Sequence, residues 1–401
     1  MRAPSPVPVD LARRFLRWTF FRAALARGWW LVTAVYLVLV AELTPFQLVF
    51  VGTAQGITVV LAEVPAGVLA DAVSRRLALV VAHLTSGTGM LLTGLVTDYP
   101  LILLSQCLWG LGWAFSSGAD IAWITDELDD SSRIDRVLTA RARWDLAGAA
   151  AGTLAFGAMA WATSLATAVV AAGAGMIVLG FAVVARFPET RFVPVVANRW
   201  RHASGIFRAG VRLARGDRVI LVIIVATLLV NGGHEGYGRL LENRLLGLGF
   251  PREPDPIVWF TVLSLTGLAA GIAVLWVVEA RILGAGMARR AYAAACVGVA
   301  LGMLVLAHAP SAAWAVAGVF AVNGIAGPVI RPVGDIWLNR RATSDVRATV
   351  HSFSSQAENL GEIIFGFGLA LLAGAWSPTA ALTGSVVLMA VAGVVVSRGG
   401  R

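Results

Sequence analysis

The sequence predicts an all-α membrane protein: twelve transmembrane helices in two pseudo-symmetric six-helix bundles. Three observations predict it. First, 58% of the 401 residues are apolar and 14% are charged, with a mean hydropathy of +0.78; soluble domains carry about 25% charged residues. Second, the apolar residues fall in runs long enough to cross a hydrocarbon core of ~30 Å as helices. Third, the Arg residues fall in alternate loops. The net charge of +9 does not indicate nucleic acid, because no single soluble basic face gathers it. Every basic residue is Arg, a compositional bias without functional content. Cys107 and Cys296 both lie inside apolar runs, so no disulfide framework is expected.

Taken in order, residues 1–28 read as a basic, amphipathic lead-in. The first ten are Pro-rich, and from Leu11 to Gly28 Arg13, Arg14, Arg17, Arg22 and Arg27 interleave with Trp18, Phe20 and Phe21. Such a segment is expected to lie at the headgroups. Trp18, Trp29 and Trp30 fit an interfacial aromatic belt. The N-terminal bundle is expected over 22–187, with spans near 22–43, 47–70, 77–97, 100–125, 138–161 and 165–187. The segment 188–218, with Arg191, Arg199, Arg201, Arg208, Arg212, Arg215 and Arg218, reads as a cytoplasmic linker. The C-terminal bundle follows over 219–397, with spans near 219–240, 257–279, 290–308, 312–338, 347–374 and 378–397.

Arg75, Arg76, Arg133, Arg136, Arg141, Arg143, Arg281, Arg289, Arg290, Arg340, Arg341 and Arg347 fall in the loops after even-numbered spans or in the turns around them. Only Arg239, Arg244 and Arg252 fall on the other side, in one long outer loop. The positive-inside rule then puts both termini in the cytoplasm of a multi-pass inner-membrane protein. Pro65, Pro328 and Pro332 mark bends that neighbouring helices must accommodate.

The stretch Leu61 to Leu79 joins two spans through a short charged turn. Gly67 lets another helix approach its backbone, Asp71 follows the expected helix end, and Arg75 and Arg76 sit on the turn. Gly67, Leu69, Ala70, Asp71, Arg75, Arg76 and Leu79 together resemble the loop between helices 2 and 3 of the major facilitator superfamily. Ala72 stands where that family usually has Arg, and Ser74 where it usually has Gly. The resemblance implies that Gly67, Asp71, Arg75 and Arg76 form a gating latch, weakened here by the missing Arg. Asp120, Asp126 and Glu127 are candidate partners for Arg75.

Weaker signatures agree. Gly110, Gly112 and Ala114 match a span 4 pattern of the family, with Gln106 in place of its Arg and Trp109 in place of its Gln. Gly148, Gly152 and Gly157 resemble the span 5 pattern of drug antiporters, with Thr153 for Pro and Phe156 for Gly; their plain alternative is helix packing. The halves also echo each other. Gly118-Ala119-Asp120-Ile121 in span 4 is matched by Gly334-Asp335-Ile336 in span 10. Asp145-x-x-Gly148 in span 5 is matched by Glu358-x-x-Gly361 in span 11. Parallel repeats with a site near the midplane would produce that register.

Ionisable groups inside spans cost ~2.5–3.5 kcal/mol each on insertion scales, and so are functional candidates. Glu63, Asp120, Glu235, Glu358 and Glu362 are the candidates for proton coupling. Glu63 lies ~12 Å before Asp71 along its helix. Glu358 and Glu362 are one helical turn apart with no basic residue within a turn, so they repel and could share one exchangeable proton. Arg331 and Asp335, also one turn apart, read as an ion pair. His83, His202, His234, His308 and His351 are scattered, and no metal-ligand spacing or catalytic constellation occurs. No Gly-x-x-x-x-Gly-Lys loop exists, which removes ATP drive through that motif.

The resemblance implies a cavity lined by spans 1, 4, 7 and 10. Tyr36, Trp109, Trp113, Asn231, His234, Asn323 and Arg331 are the candidate lining residues. Aromatic faces suit a bulky, amphiphilic or cationic guest better than a sugar. The function so implied is a proton-coupled secondary transporter, exporting a hydrophobic or amphiphilic small molecule. The alternative is import of a small metabolite. The expected partners are a small-molecule substrate, protons and the lipid bilayer, without nucleic acid, cofactor or metal, and the chain is expected to act as a monomer and not as an enzyme.

Overall fold

The computed structural model describes residues 9–128, 130–194, 215–281, 285–341 and 347–399, together with 205, 208 and 212. Residues 1–8 of the lead-in, and Arg199 and Arg201 of the linker, lie outside the described residues. Helix makes up 89% of the structure, and no strand occurs among the described residues. Among the described residues twelve long helices follow in order: α1 (Val9–Leu39), α2 (Pro45–Val73), α3 (Arg75–Leu95), α4 (Tyr99–Leu128), α5 (Ser131–Ala162) and α6 (Leu165–Arg186). After the linker come α7 (Arg218–Gly247), α8 (Pro256–Glu279), α9 (Ala285–His308), α10 (Ala312–Arg340), α11 (Arg347–Ala375) and α12 (Pro378–Arg398).

Eleven of these are long and apolar enough to cross a membrane. The exception, α5, spends its first half on Arg133, Asp135, Arg136, Arg141, Arg143 and Asp145, and its apolar half is rich in Ala and Gly.

The helix starts carry their own signals. Ser74, Ser164, Asp217, Asp255 and Ser377 each accept a backbone N–H of the first turn that follows. Asp130 does the same for α5, and its bond with the Ser132 hydroxyl holds its carboxyl below the usual range. Proline stands in the first turn of α4, α8 and α12, where its missing N–H is harmless. Within α4 the helix breaks at Ser117–Gly118. Gly118 adopts φ +76°, a left-handed conformation that a residue with Cβ resists, although there is open space around it.

The chain divides into two compact units. The first comprises residues 1–41 and 58–199; the second comprises 42–57 and 200–401. The first half of α2 therefore packs within the second unit. In the first unit α5 and α6 pack on α1, while α4 and α6 pack on α3. In the second unit α11 and α12 pack on α7, while α10 and α12 pack on α9. Adding six to each helix number maps the first set onto the second, so the two units repeat one packing plan.

The repeat reaches individual residues. A Cβ on Gly148 of α5 would stand 2.3 Å from the Phe20 carbonyl oxygen of α1. A Cβ on Gly361 of α11 would stand 2.2 Å from the Leu228 carbonyl oxygen of α7. The echo between Asp145-x-x-Gly148 and Glu358-x-x-Gly361 marks the same backbone contact in both units. Gly148 and Gly152 thus serve helix packing.

Several expectations need correction. Residues 11–28 form no separate interfacial segment, because α1 runs unbroken from Val9 to Leu39. Phe15 and Trp18 are buried with Trp123, Leu79 and Phe187 in the first unit's core. Trp18 and Trp29 consequently do not belong to an aromatic belt, being 4% and 0% exposed. Asp71 does not follow the helix but sits in its last, π-helical turn, Leu69–Val73. Arg239 and Arg244 do not occupy an outer loop, since α7 continues to Gly247.

Arg244 instead closes the end of another helix. Its guanidinium donates to the carbonyls of Leu306 (3.3 Å), Ala307 (2.9 Å) and Ala309 (3.5 Å) at the C-terminus of α9. Those carbonyls have no partner within their own helix, and a cation there also meets the negative end of the helix dipole. Arg244→Ala is expected to cost about 1.5–3 kcal/mol, and Arg244→Lys less. Thermal unfolding in detergent measures this; an unchanged midpoint for Arg244→Ala would show the cap to be idle.

Candidate functional site

The α2–α3 hairpin is tied to the ends of α4 and α6 within the first unit. Ser74 caps α3, and its hydroxyl donates to Glu189 at 2.5 Å. The Arg76 backbone N–H donates to the same carboxylate at 2.9 Å, and the Arg76 guanidinium donates to the Phe187 carbonyl at 3.2 Å. Arg75 forms an ion pair with Asp126 and donates to the Ala122 carbonyl at 2.6 Å. Glu127 accepts from the backbone N–H of Thr190 and of Arg191 and from the Thr190 hydroxyl. The Trp123 indole donates to the Pro188 carbonyl at 2.8 Å.

Of the three candidate partners for Arg75, Asp126 is the one it meets. Asp120 is buried and bound to Arg141 at 2.6 Å. Ser74, standing where the resembled family has Gly, adds both a cap and a link to Glu189. Glu189 itself went unrecognised in the sequence; its signal is the Pro188-Glu189-Thr190 run directly after α6. Gly67 is half-buried and Glu63 is exposed, both on α2.

The membrane carboxylates of the second unit form a connected group. Glu235 pairs with Arg239 on the same face of α7 at 2.9 Å, and both side chains are largely buried. Arg239 also donates to Gln55 of α2 at 2.6 Å. A Cβ on Gly52 would fall 1.5 Å from the Glu235 carboxylate, so the backbone of α2 passes directly over the ion pair. Glu358 of α11 reaches Arg331 of α10 at 3.8 Å. The partner of Arg331 is thus Glu358, and the cation absent from α11 is supplied by a neighbouring helix. Glu362, one turn after Glu358 on α11, is half-buried and within electrostatic range of Glu235, Arg239, Glu358 and Arg331. Arg239 was missed as a site residue because a charge near the end of an apolar run reads as the start of a loop, and Gln55 because an uncharged polar residue inside span 47–70 gives no such signal.

Beside this group lies a half-open pocket within the second unit. Asn231 and His234 of α7, Arg331 and Asp335 of α10, and Glu358 of α11 line it. His234 Nδ1 is buried without an aligned hydrogen-bond partner. Gly327, also in the lining, follows a π-helical segment of α10 (Ala321–Ala326). Wide turns of this kind recur at functional sites. Asn323, in that segment, accepts a hydrogen bond from the Tyr237 hydroxyl at 3.1 Å and is absent from the lining.

Three other cavity candidates lie in the first unit. Tyr36 is buried, its hydroxyl donating to the Val96 carbonyl at 3.0 Å. Trp109 stacks on Trp29 (centroids 5.4 Å apart, planes at 16°) and on Trp113 (5.8 Å, 15°). Trp30 leans against Trp109 at 5.9 Å. Gln106, in place of the family's Arg, is buried and donates to Thr93 of α3 at 3.0 Å. It is committed to packing α4 on α3. Among the described residues no group of three or more His, Cys, Asp or Glu side chains could hold a metal.

Comparison with known proteins gives three results. The family model described as Major Facilitator Superfamily matches residues 19–365. No curated protein matches the sequence. Among solved structures, the chain is similar to a mutant of the nucleoside transporter NupG, with TM-score 0.78 and 14% identity over 96% of this chain and 98% of that one. It is similar also to a mutant of the peptide transporter POT, with TM-score 0.74 and 15% identity over 99% and 95%. A bacterial homolog of the human lysosomal transporter Spinster, inward-facing and unoccupied, gives TM-score 0.70 and 13% identity over 98% and 96%. At these identities the likeness is one of fold.

Proposed function

The chain belongs to the Major Facilitator Superfamily, and we propose that it is a proton-coupled secondary transporter exporting an amphiphilic small molecule by alternating access. The observation that carries this reading is Glu362. A carboxyl half-buried in a spanning helix, beside the Glu235–Arg239 and Glu358–Arg331 pairs, can take up a proton without a cofactor. Its neighbour Glu358 lines the pocket, which brings proton binding and guest binding to one cluster. The α2–α3 hairpin, tied to α4 and α6, acts as the latch on the cytoplasmic side. The Arg distribution supports both termini lying on that side, and the protein works as a monomer.

Export draws support from the tryptophan group of the first unit. A second reading, proton-linked uptake of a polar metabolite, draws support from the charged lining of the pocket: Arg331, Asp335 and Glu358 with Asn231. Inside-out vesicles with an imposed pH gradient separate the two. Export predicts accumulation of amphiphilic dyes when the lumen is acidic. Uptake of a labelled polar metabolite into right-side-out vesicles, with no dye movement, would replace export by the second reading.

A further inference from the structure

The Trp29–Trp109–Trp113 stack of the first unit ends in an open face. Trp29 is fully buried, Trp109 lies between its two neighbours, and Trp113 is 49% exposed. That exposure is not what an interfacial tryptophan shows. Trp113 lies roughly 21 Å from Tyr99 at 1.5 Å per residue, four residues before the break at Ser117 and inside the span Tyr99–Leu128, whereas belt tryptophans gather at the ends of spans.

Nor is the exposure that of a lipid-facing side chain. At 3.6 residues per turn, Trp113 shares a helix face with Ile102, Gln106 and Trp109, within about 40°. Ile102 and Gln106 are buried on that face, and Gln106 bonds to α3. Leu104, 50% exposed, lies on the opposite side of α4, about 180° away. The face that packs against protein over the first half of the helix is therefore half exposed at Trp113. Trp30, 37% exposed and tilted against Trp109, borders the same group.

We propose that the open face of Trp113 is a stacking subsite for a flat aromatic ring of the transported molecule, an inference that rests on the transporter reading above. Two near-parallel ring contacts already run along the stack, and a planar guest would add a third. The indole face is electron-rich, so a ring carrying positive charge gains a cation–π contribution as well. The substrate class is then narrower than an amphiphile: the molecule has a planar π-face, as a nucleobase, an indole or a flat cationic dye has.

Equilibrium binding to the purified full chain in detergent tests this without any ion gradient. The probes are adenosine against ribose, and ethidium against tetrapropylammonium. At least one planar probe is expected to bind about tenfold or more tighter than its non-planar counterpart. Trp113→Ala is expected to remove that preference, Trp113→Phe to keep it within about threefold, and Leu104→Ala to leave it unchanged. Should Trp113→Ala fail to fold, Trp113→Leu supplies an apolar side chain without a π-face and must bind more weakly than Trp113→Phe. The subsite is overturned if neither planar probe outbinds its counterpart, or if Leu and Phe at position 113 are equivalent. Ring selectivity without gradient-driven transport would remove proton coupling and leave the subsite standing; gradient-driven transport without ring selectivity would do the reverse.

Discussion

Glu362→Gln is expected to abolish gradient-driven transport, lowering the initial rate at least about tenfold, while exchange of substrate across the membrane at equal pH continues. The amide keeps the size and polarity of the side chain and loses only its ability to carry a proton. General loss of structure would stop exchange and driven transport alike, so the split between them isolates coupling. Glu362 is singled out among five sequence candidates by its surroundings. Asp120 is committed to Arg141, Glu235 and Glu358 each hold an Arg, and Glu63 is exposed on α2, whereas Glu362 is half-buried and forms no ion pair or hydrogen bond among the described residues. Measured proton-driven rates equal to wild type in Glu362→Gln would move the coupling site elsewhere.

Gly152→Val is expected to prevent assembly of the first unit. A Cβ at Gly152 would stand 2.0 Å from the Ala24 carbonyl oxygen and 2.5 Å from the Ala24 Cα. Both are backbone atoms of α1, so no side-chain rotation relieves the clash. Gly148 meets Phe20 one turn earlier in the same way, and the two glycines fix the approach of α5 to α1 over successive turns. Overpacking of an ordinary core costs about 1–3 kcal/mol. Here the obstacle is another helix, and Val adds two further methyl groups. Gly152→Ala should fall at the upper end of that range, and Gly152→Val should leave little monodisperse protein in detergent. Gly238→Ala, where a Cβ meets nothing within 4 Å, serves as the control. A wild-type yield for Gly152→Val would mean that α1 and α5 are not held by this contact.

The span plan was legible because apolar runs of sufficient length admit few other structures, and the short Gly67–Leu79 turn named the family. The Asp145/Glu358 echo was legible too, since a glycine that meets backbone cannot drift in sequence position. Partnerships between helices were not. Arg331 reads as the mate of Asp335 one turn away, yet it reaches Glu358 on another helix. Which face a helix turns to its neighbour is fixed by packing, and the pairing follows from that rotation. Arg239 ended an apolar run and so read as loop, although pairing with Glu235 and Gln55 lets the helix carry it. Trp29 looked interfacial in sequence because its burial depends on Trp109, some eighty residues away.

Proton coupling is tested most directly by the substrate itself. Liposomes holding the full chain and a trapped pH-sensitive dye are given a transported compound with no gradient imposed. Coupled movement predicts a change of internal pH on substrate addition, scaling with substrate flux and absent in Glu362→Gln. Substrate flux with no pH change beyond that of protein-free liposomes would contradict it.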